Sequence, residues 1–190
     1  MKCRFCGLKS ETLLEVTMIP LCSACYCRII EKRIRKTIRT KKLFSKQGKI
    51  TLCIDGSSGS GLLLSFFSGL IWAKNMKIKV KIPNRSALRQ AKPFKFEITG
   101  KKYGAEVKPL LMDCIVHSFV EGLFNGRINP GKKNSILEKV EKQQAQKYCT
   151  FKKIFYRDIA EKDAVSEFIK NIKKRRSSFN FSAMKFMNSI

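Results

Sequence analysis

Ile29, Ile30, Ile34 and Ile38 recur at the spacing of one helix face, which predicts a helix over 23–43. Ahead of it, 12–19 reads as a β-hairpin or ribbon. Lys46-Gln47-Gly48 breaks the helical pattern, and the division into two parts, 1–48 and 49–190, is placed there. Beyond the break, a short apolar run at 49–54 predicts a strand, and the apolar stretch 61–74 predicts the helix after it. A strand at 77–82, a turn at Pro83-Asn84 and a strand at 94–99 come next. The stretch 107–124 reads as an apolar helix, 134–147 as a polar helix and 151–155 as a strand. Val165, Phe168, Ile169 and Ile172 share one face of an amphipathic helix over 160–174. Strands alternating with helices predict an α/β fold with a small, doubly wound, mainly parallel sheet.

Composition narrows the partners. The 190 residues carry 40 Lys and Arg against 14 Asp and Glu, a net charge of +26. A field of that sign attracts polyanions, nucleic acid first among them. A coding bias toward lysine is the plain alternative, and local clustering of the cations argues against it. Arg28, Lys32, Arg33, Arg35, Lys36, Arg39, Lys41 and Lys42 fall within one predicted helix beside a single acid, Glu31. That cluster reads as an RNA-phosphate contact, with a solvated helix face as the alternative. The later run Lys170, Lys173, Lys174, Arg175 and Arg176 fits a charged helix end. No charged-then-apolar leader opens the chain, and the run 61–73 is too short to span a bilayer. A cytoplasmic, reducing setting without membrane contact is expected.

Five of the eight cysteines lie in the first 27 residues, as Cys3-x-x-Cys6, Cys22-x-x-Cys25 and Cys27. Two CxxC pairs at this separation can close a tetrahedron around structural zinc, with Cys27 as a spare. Reduced thiols without metal are the alternative. Such a closed site supplies no catalysis. Of the others, Cys53 reads as a buried small hydrophobe inside the first strand, and Cys114 and Cys149 have no CxxC partner. His117 is the only histidine and reads as a packed residue rather than a base.

The loop Asp55-Gly56-Ser57-Ser58-Gly59-Ser60-Gly61 joins a strand to a helix, where backbone N–H groups and the helix dipole favour an anion. It has no lysine of the GxxxxGK[ST] kind, and Asp55 sets a negative charge at its mouth. The shape of a nucleotide-phosphate site is present without its chemistry.

A four-cysteine zinc ribbon, a basic helix and a strand ending in a loop like SGGxDS together resemble the tRNA thiolation branch of the PP-loop ATP pyrophosphatase family. The resemblance covers 1–70 and 107–170 in order, while 75–105 matches poorly and looks shortened. In active members the loop binds the ATP pyrophosphate and its aspartate helps hold magnesium. Here the serine becomes Asp55, the first glycine is Gly56, the second becomes Ser57, Ser58 is the variable site, the aspartate becomes Gly59 and the last serine is Ser60. Two further segments are similar to the family's. Gly122-Leu123-Phe124-Asn125-Gly126-Arg127, within 110–131, is like its helix ending in a Gly-Arg turn, and Tyr156-Arg157-Asp158-Ile159-Ala160-Glu161-Lys162-Asp163 is like its RPLRDxxxKEI stretch. The catalytic subunit carries a further CxxC pair that this chain lacks. The resemblance therefore implies a compact, non-catalytic subunit in 2-thiolation of the wobble uridine, without ATP turnover. It also implies tRNA, a catalytic PP-loop subunit and, indirectly, a ubiquitin-like sulfur carrier as partners. One rival is an active ATP-using enzyme whose magnesium would sit on Asp113 or Asp158. The other is a zinc-ribbon RNA-binding or ribosome-associated protein.

Overall fold

The computed structural model describes residues 1–15, 17–44, 48–70, 76–101, 103–127, 135–158 and 163–189. Residues 71–74 of the helix expected over 61–74, the break at 46–47, residue 134, and 128–131 and 159–162 of the two family-like segments lie outside that range.

Strands β1 (Thr12–Leu14) and β2 (Ile19–Leu21) pair antiparallel as the expected ribbon. Helix α1 (Ser23–Lys41) follows and ends where Lys42 turns left-handed at φ 49°. Its isoleucines at 30, 34 and 38 are buried. Each such side chain contributes about 1.5–3 kcal/mol of apolar burial.

The second part holds β3 (Lys49–Cys53), α2 (Ser58–Ser68), β4 (Lys77–Lys81), α3 (Arg85–Ala91), β5 (Glu97–Ile98) and β6 (Ala105–Val107). The four strands form a parallel sheet in the order β5-β4-β3-β6. This is the expected α/β class. The order reverses between β3 and β6, and such a switch point opens a crevice at the carboxyl ends of the strands. Ile50, Leu52 and Val80 lie on one face in register and are fully buried. On the other face Thr51 bonds both the N–H and the carbonyl of Tyr103, each at 2.8 Å. Thus six positions separate β5 from β6, and those described, 99–101 and 103–104, are not helical, which fits the shortened look of this region. Gly104 permits the close approach at φ 75°, since a Cβ there would collide with the Lys49 carbonyl oxygen.

Among the described residues four further helices follow: α4 (Met112–Phe124), α5 (Lys142–Phe151), α6 (Ala164–Arg175) and α7 (Phe179–Met187). Several sequence expectations shift here. Helix α2 starts at Ser58 rather than 61, because Ser57 caps it. Helix α3 replaces a simple turn, with Asn84 Oδ1 accepting the Ala87 N–H at 2.8 Å. The helix expected from 107 is a strand to Val107 and a helix only from Met112. The helix expected over 134–147 starts at Lys142, where Glu141 and Gln144 form a capping box. The strand expected over 151–155 is instead the last residue of α5, a turn at Lys152 and Lys153, and a strap without regular structure over 154–158, and α7 has no counterpart among the sequence expectations.

One core crosses the boundary at residue 48: Ile30, Ile34 and Ile38 pack in the same cluster as Ile50, Leu62 and Tyr148. The ribbon shares it through Leu14 and Leu21, so it does not stand on metal alone. Glu15 ties the ribbon to α5 by accepting from Tyr26 Oη, Gln144 Nε2 and Lys147 Nζ. A second core joins Met112, Val116 and Phe119 of α4 to Ile169 of α6 and to α7. Among the described residues no helix is long and apolar enough to cross a membrane.

Candidate functional site

The loop after β3 closes on itself. Gly56 takes φ 92°, and a Cβ there would sit 2.6 Å from Ser86 Oγ. Asp55 Oδ1 accepts the Ser57 N–H at 2.9 Å and the Ser60 hydroxyl at 2.6 Å. Ser60 Oγ accepts the Asp55 N–H at 2.9 Å, and Ser57 Oγ accepts the Ser60 N–H at 3.3 Å. The Ser58 N–H, in the first turn of α2, is given to Asp158 Oδ1 at 2.8 Å. Gln146 Nε2 holds the other oxygen of that carboxylate at 2.7 Å. The amides of Asp55, Ser57, Ser58 and Ser60 thus go to two carboxylates and two serine hydroxyls of the same chain.

Gly59, where the family's aspartate would stand, packs against the exit of β6. A Cβ there would lie 2.7 Å from the Pro109 carbonyl oxygen, so the backbone leaves no room for a longer side chain. Gly61 is equally close to Cys149 Sγ, at 2.9 Å from a built Cβ.

Beside the loop lies a cavity of about 630 Å³ at the strand ends. Lys81, Lys108 and Arg157 bring positive charge to it, and Asp55, Glu106 and Asp158 bring negative charge. Cys53 and Cys114 also line it, which corrects the reading of Cys53 as a fully buried hydrophobe. Burial still pushes the Cys53 thiol up, and Glu106 adds to this. Of the two carboxylates considered for magnesium, only Asp158 reaches the cavity. Asp113 instead accepts from Lys173 Nζ at 2.7 Å and Asn180 Nδ2 at 2.9 Å, pinning α6 and α7 to α4.

The cysteine cluster forms at the other end of the chain. The Sγ atoms of Cys3, Cys6, Cys22 and Cys25 all lie within 4.8 Å of one another, and Cys6 and Cys22 are 3.5 Å apart. Zn–S bonds of about 2.3 Å in a tetrahedron require S–S separations of about 3.8 Å. Cys3, Cys22 and Cys25 are buried, and Cys22 is the N-cap of α1. Burial opposes ionisation of Cys3, but backbone N–H groups around its sulfur, from Cys22, Phe5 and Cys6, bring the thiol down to about 6. Burial and the neighbouring sulfurs push Cys25 up to about 12. One thiolate forms readily and the crowd resists the next, an arrangement that a cation resolves. The four residues can hold a metal ion. Cys27, outside the cluster, is buried and pushed up to about 11, first by desolvation.

No family model matches the chain, and no curated protein matches it. Among solved structures it is similar to the U34-tRNA thiolase NcsA from Methanococcus maripaludis, determined with its [4Fe-4S] cluster. The two superpose with a TM-score of 0.81 at 11% identity, over 100% of this chain and 86% of that one. This chain shares the fold of that protein. At this identity the likeness is one of architecture, and it spans both the ribbon and the parallel sheet.

The basic helix divides into two sets. Arg33 is drawn into the α1–α5 interface, where Nη1 donates to Gln144 Oε1 at 3.0 Å and desolvation lowers the guanidinium's pKa. Arg35 pairs with Glu31 at 2.7 Å, and Lys41 pairs with Glu138. Those three cations hold the fold together. Arg28, Lys32, Lys36, Arg39 and Lys42 are exposed and form no ion pair among the described residues. The spacing of Arg28, Lys32, Lys36 and Arg39, four, four and three, sets them in one stripe along about 17 Å of helix, with Lys42 following at the left-handed C-cap. His117 sits partly buried, as expected, with Nε2 at 3.1 Å from Asp163 Oδ1. Cys149 is buried, donates to the Ser58 carbonyl at 3.3 Å, and is pushed up to about 12 by burial. The sequence named Asp158 as a magnesium candidate and within the family-like segment 156–163, and nothing in it marked Gln146, or Gln90, whose Nε2 donates to the Ser57 carbonyl at 2.8 Å, as a partner of this loop.

Proposed function

We propose that this chain is a non-catalytic subunit in 2-thiolation of the tRNA wobble uridine, a role similar to that of cytoplasmic tRNA 2-thiolation protein 2. One observation carries the reading: a thiolase fold whose phosphate loop spends its amides on Asp55 and Asp158. ATP would have to displace an internal carboxylate, and Gly59 offers neither a magnesium ligand nor space for one. The chain's part is then to present tRNA and to support a catalytic PP-loop subunit, which is served by a ubiquitin-like sulfur carrier. The stripe Arg28, Lys32, Lys36, Arg39 and Lys42 supplies the phosphate contacts, since unpaired cations in a row exchange counterions for a polyanion. The metal we assign to Cys3, Cys6, Cys22 and Cys25 is structural zinc. Four thiolates without an open position suit it, and the shared core sets α1 against them. The complex acts in the cytoplasm.

Deleting the gene and measuring 2-thiouridine in bulk tRNA tests the role. Loss of the modified base, with a PP-loop protein co-purifying with the tagged chain, supports it. Unchanged 2-thiouridine rejects it.

A further inference from the structure

The strap that follows α5 connects two cavities. At its start Phe151 and Lys152 line a groove of about 560 Å³ beside α1, together with Arg28 and Arg35. At its end Arg157 and Asp158 line the cavity at the strand ends. Between these points Lys152, Lys153, Phe155 and Arg157 are exposed, while Ile154 and Tyr156 are half-buried.

The inner side of the strap is fixed. Gln90 Nε2 donates to the carbonyls of Ser57 and Phe155, both at 2.8 Å. The Arg157 N–H is bonded to the Gly56 carbonyl at 2.9 Å, and Asp158 holds the Ser58 N–H. Of the carboxylates along the route, Glu106 stands exposed at the wall of the strand-end cavity, beside Lys81, Lys108 and Arg157; the others are turned inward or already matched. Asp55 and Asp158 face the loop amides, and Glu31 in the groove meets Arg35 and the Tyr148 hydroxyl. Outward, the strap presents cations around one aromatic ring. The Arg89 guanidinium lies 4.3 Å from the centre of the Phe155 ring, yet 38% of this residue remains exposed. A phenylalanine left at the surface on a rigid backbone, braced by a stacked arginine, contributes little to the core.

Proteins that hold single-stranded nucleic acid combine a cationic path for the backbone with aromatic faces for the bases. We infer that the strap is a track for single-stranded RNA running from the α1 groove to the strand-end cavity, with Phe155 as its base-stacking platform. The inference rests on the reading that this chain binds RNA, and it adds the class of RNA and the route. Rigidity favours it, because a fixed strap has little ordering entropy to lose when the strand binds.

The test uses the full chain, a single-stranded RNA decamer carrying 2-aminopurine, and a blunt RNA duplex of equal length. Binding of the decamer should quench the fluorophore. Phe155→Ala should abolish the quenching and weaken decamer binding about tenfold, with duplex affinity and the circular dichroism spectrum unchanged. Phe155→Trp should keep both quenching and affinity. If Phe155→Ala binds and quenches like the wild type, the track is wrong and the RNA-binding reading stands. If the wild type binds neither RNA, that reading fails and the track with it.

Discussion

Removing the Asp158 carboxylate should loosen the loop and uncover an anion site. The group accepts the Ser58 N–H at 2.8 Å and Gln146 Nε2 at 2.7 Å. Hydrogen bonds to a charged group contribute about 1.5–3 kcal/mol, and a carboxylate at a helix N-terminus adds about 0.3–1 kcal/mol. Asp158 is half-buried, so solvent takes part of this, and Asp158→Ala should cost about 2 kcal/mol. For a chain of this size that lowers Tm by about 4–8 °C. Asp158→Asn keeps an acceptor for Ser58 and loses the charge, so its drop should be about half as large. Calorimetry with inorganic pyrophosphate separates this account from a general loss of packing. Pyrophosphate should raise the Tm of Asp158→Ala more than that of the wild type, because the variant frees the Ser58 N–H at the helix start. An unchanged Tm in Asp158→Ala, or an equal pyrophosphate shift in both proteins, would refute the reasoning.

Purified chain should contain about one zinc ion by elemental analysis, and Cys22→Ser should lose it and expose the ribbon to protease; full retention would reject Cys3, Cys6, Cys22 and Cys25 as the ligand set. Gly59→Ala should destabilise by about 1–3 kcal/mol, since its Cβ would press on the Pro109 carbonyl, and an unshifted urea midpoint would contradict that packing. Replacing Lys32, Lys36 and Arg39 by Glu should weaken tRNA binding and flatten its log–log salt slope by about one unit per lost contact; an unchanged slope would make the stripe a solvated face. The Ser166 N–H, followed by His117, holds the Asp163 carboxyl below the usual carboxylate range. A carboxyl depressed in the folded state stabilises above its unfolded value of about 3.9, and that stability is lost as pH falls through the folded value. Asp163→Asn should therefore flatten the fall of the urea midpoint below about pH 4, and parallel curves for the two proteins would refute the pairing.

What could be read along the chain was whatever is local in sequence. The two CxxC pairs, the isoleucine row of α1 and the strand–loop–helix at β3 are short-range patterns, and all three appear in the structure. The shifts came from choices settled by tertiary contact. An apolar stretch beginning at 107 suits a strand or a helix equally, and pairing of Val107 with Leu52 decides for strand. The α5 start was legible in Glu141 and Gln144, a capping box obscured by the buried turn before it. Arg33 looks like any other cation in a basic helix, and only the packing of α1 on α5 takes it out of solvent. The partnership of Asp158 with Ser58 spans 100 positions, so no window of sequence contains it.

That long-range bond also shifts the weight between a silent and an active site. Composition gives little reason to expect an internal carboxylate plug here, since only 14 acidic residues face 40 basic ones. Two of the 14 nevertheless converge on the first turn of α2, where backbone N–H groups and the helix dipole reward a negative charge most. A triphosphate would enter against both. It must break the Asp158 bond before gaining the same amide, and about 2 kcal/mol of displaced interaction weakens apparent affinity roughly thirtyfold. Mutating Asp55 would not remove that barrier, and Gly59→Asp could not restore a magnesium ligand against the Pro109 carbonyl. ATP binding at this loop would need the strap to move as well as the loop to change. The strap is held by Gln90, by Arg157 and by Gln146, each on a different partner, so one substitution cannot free it.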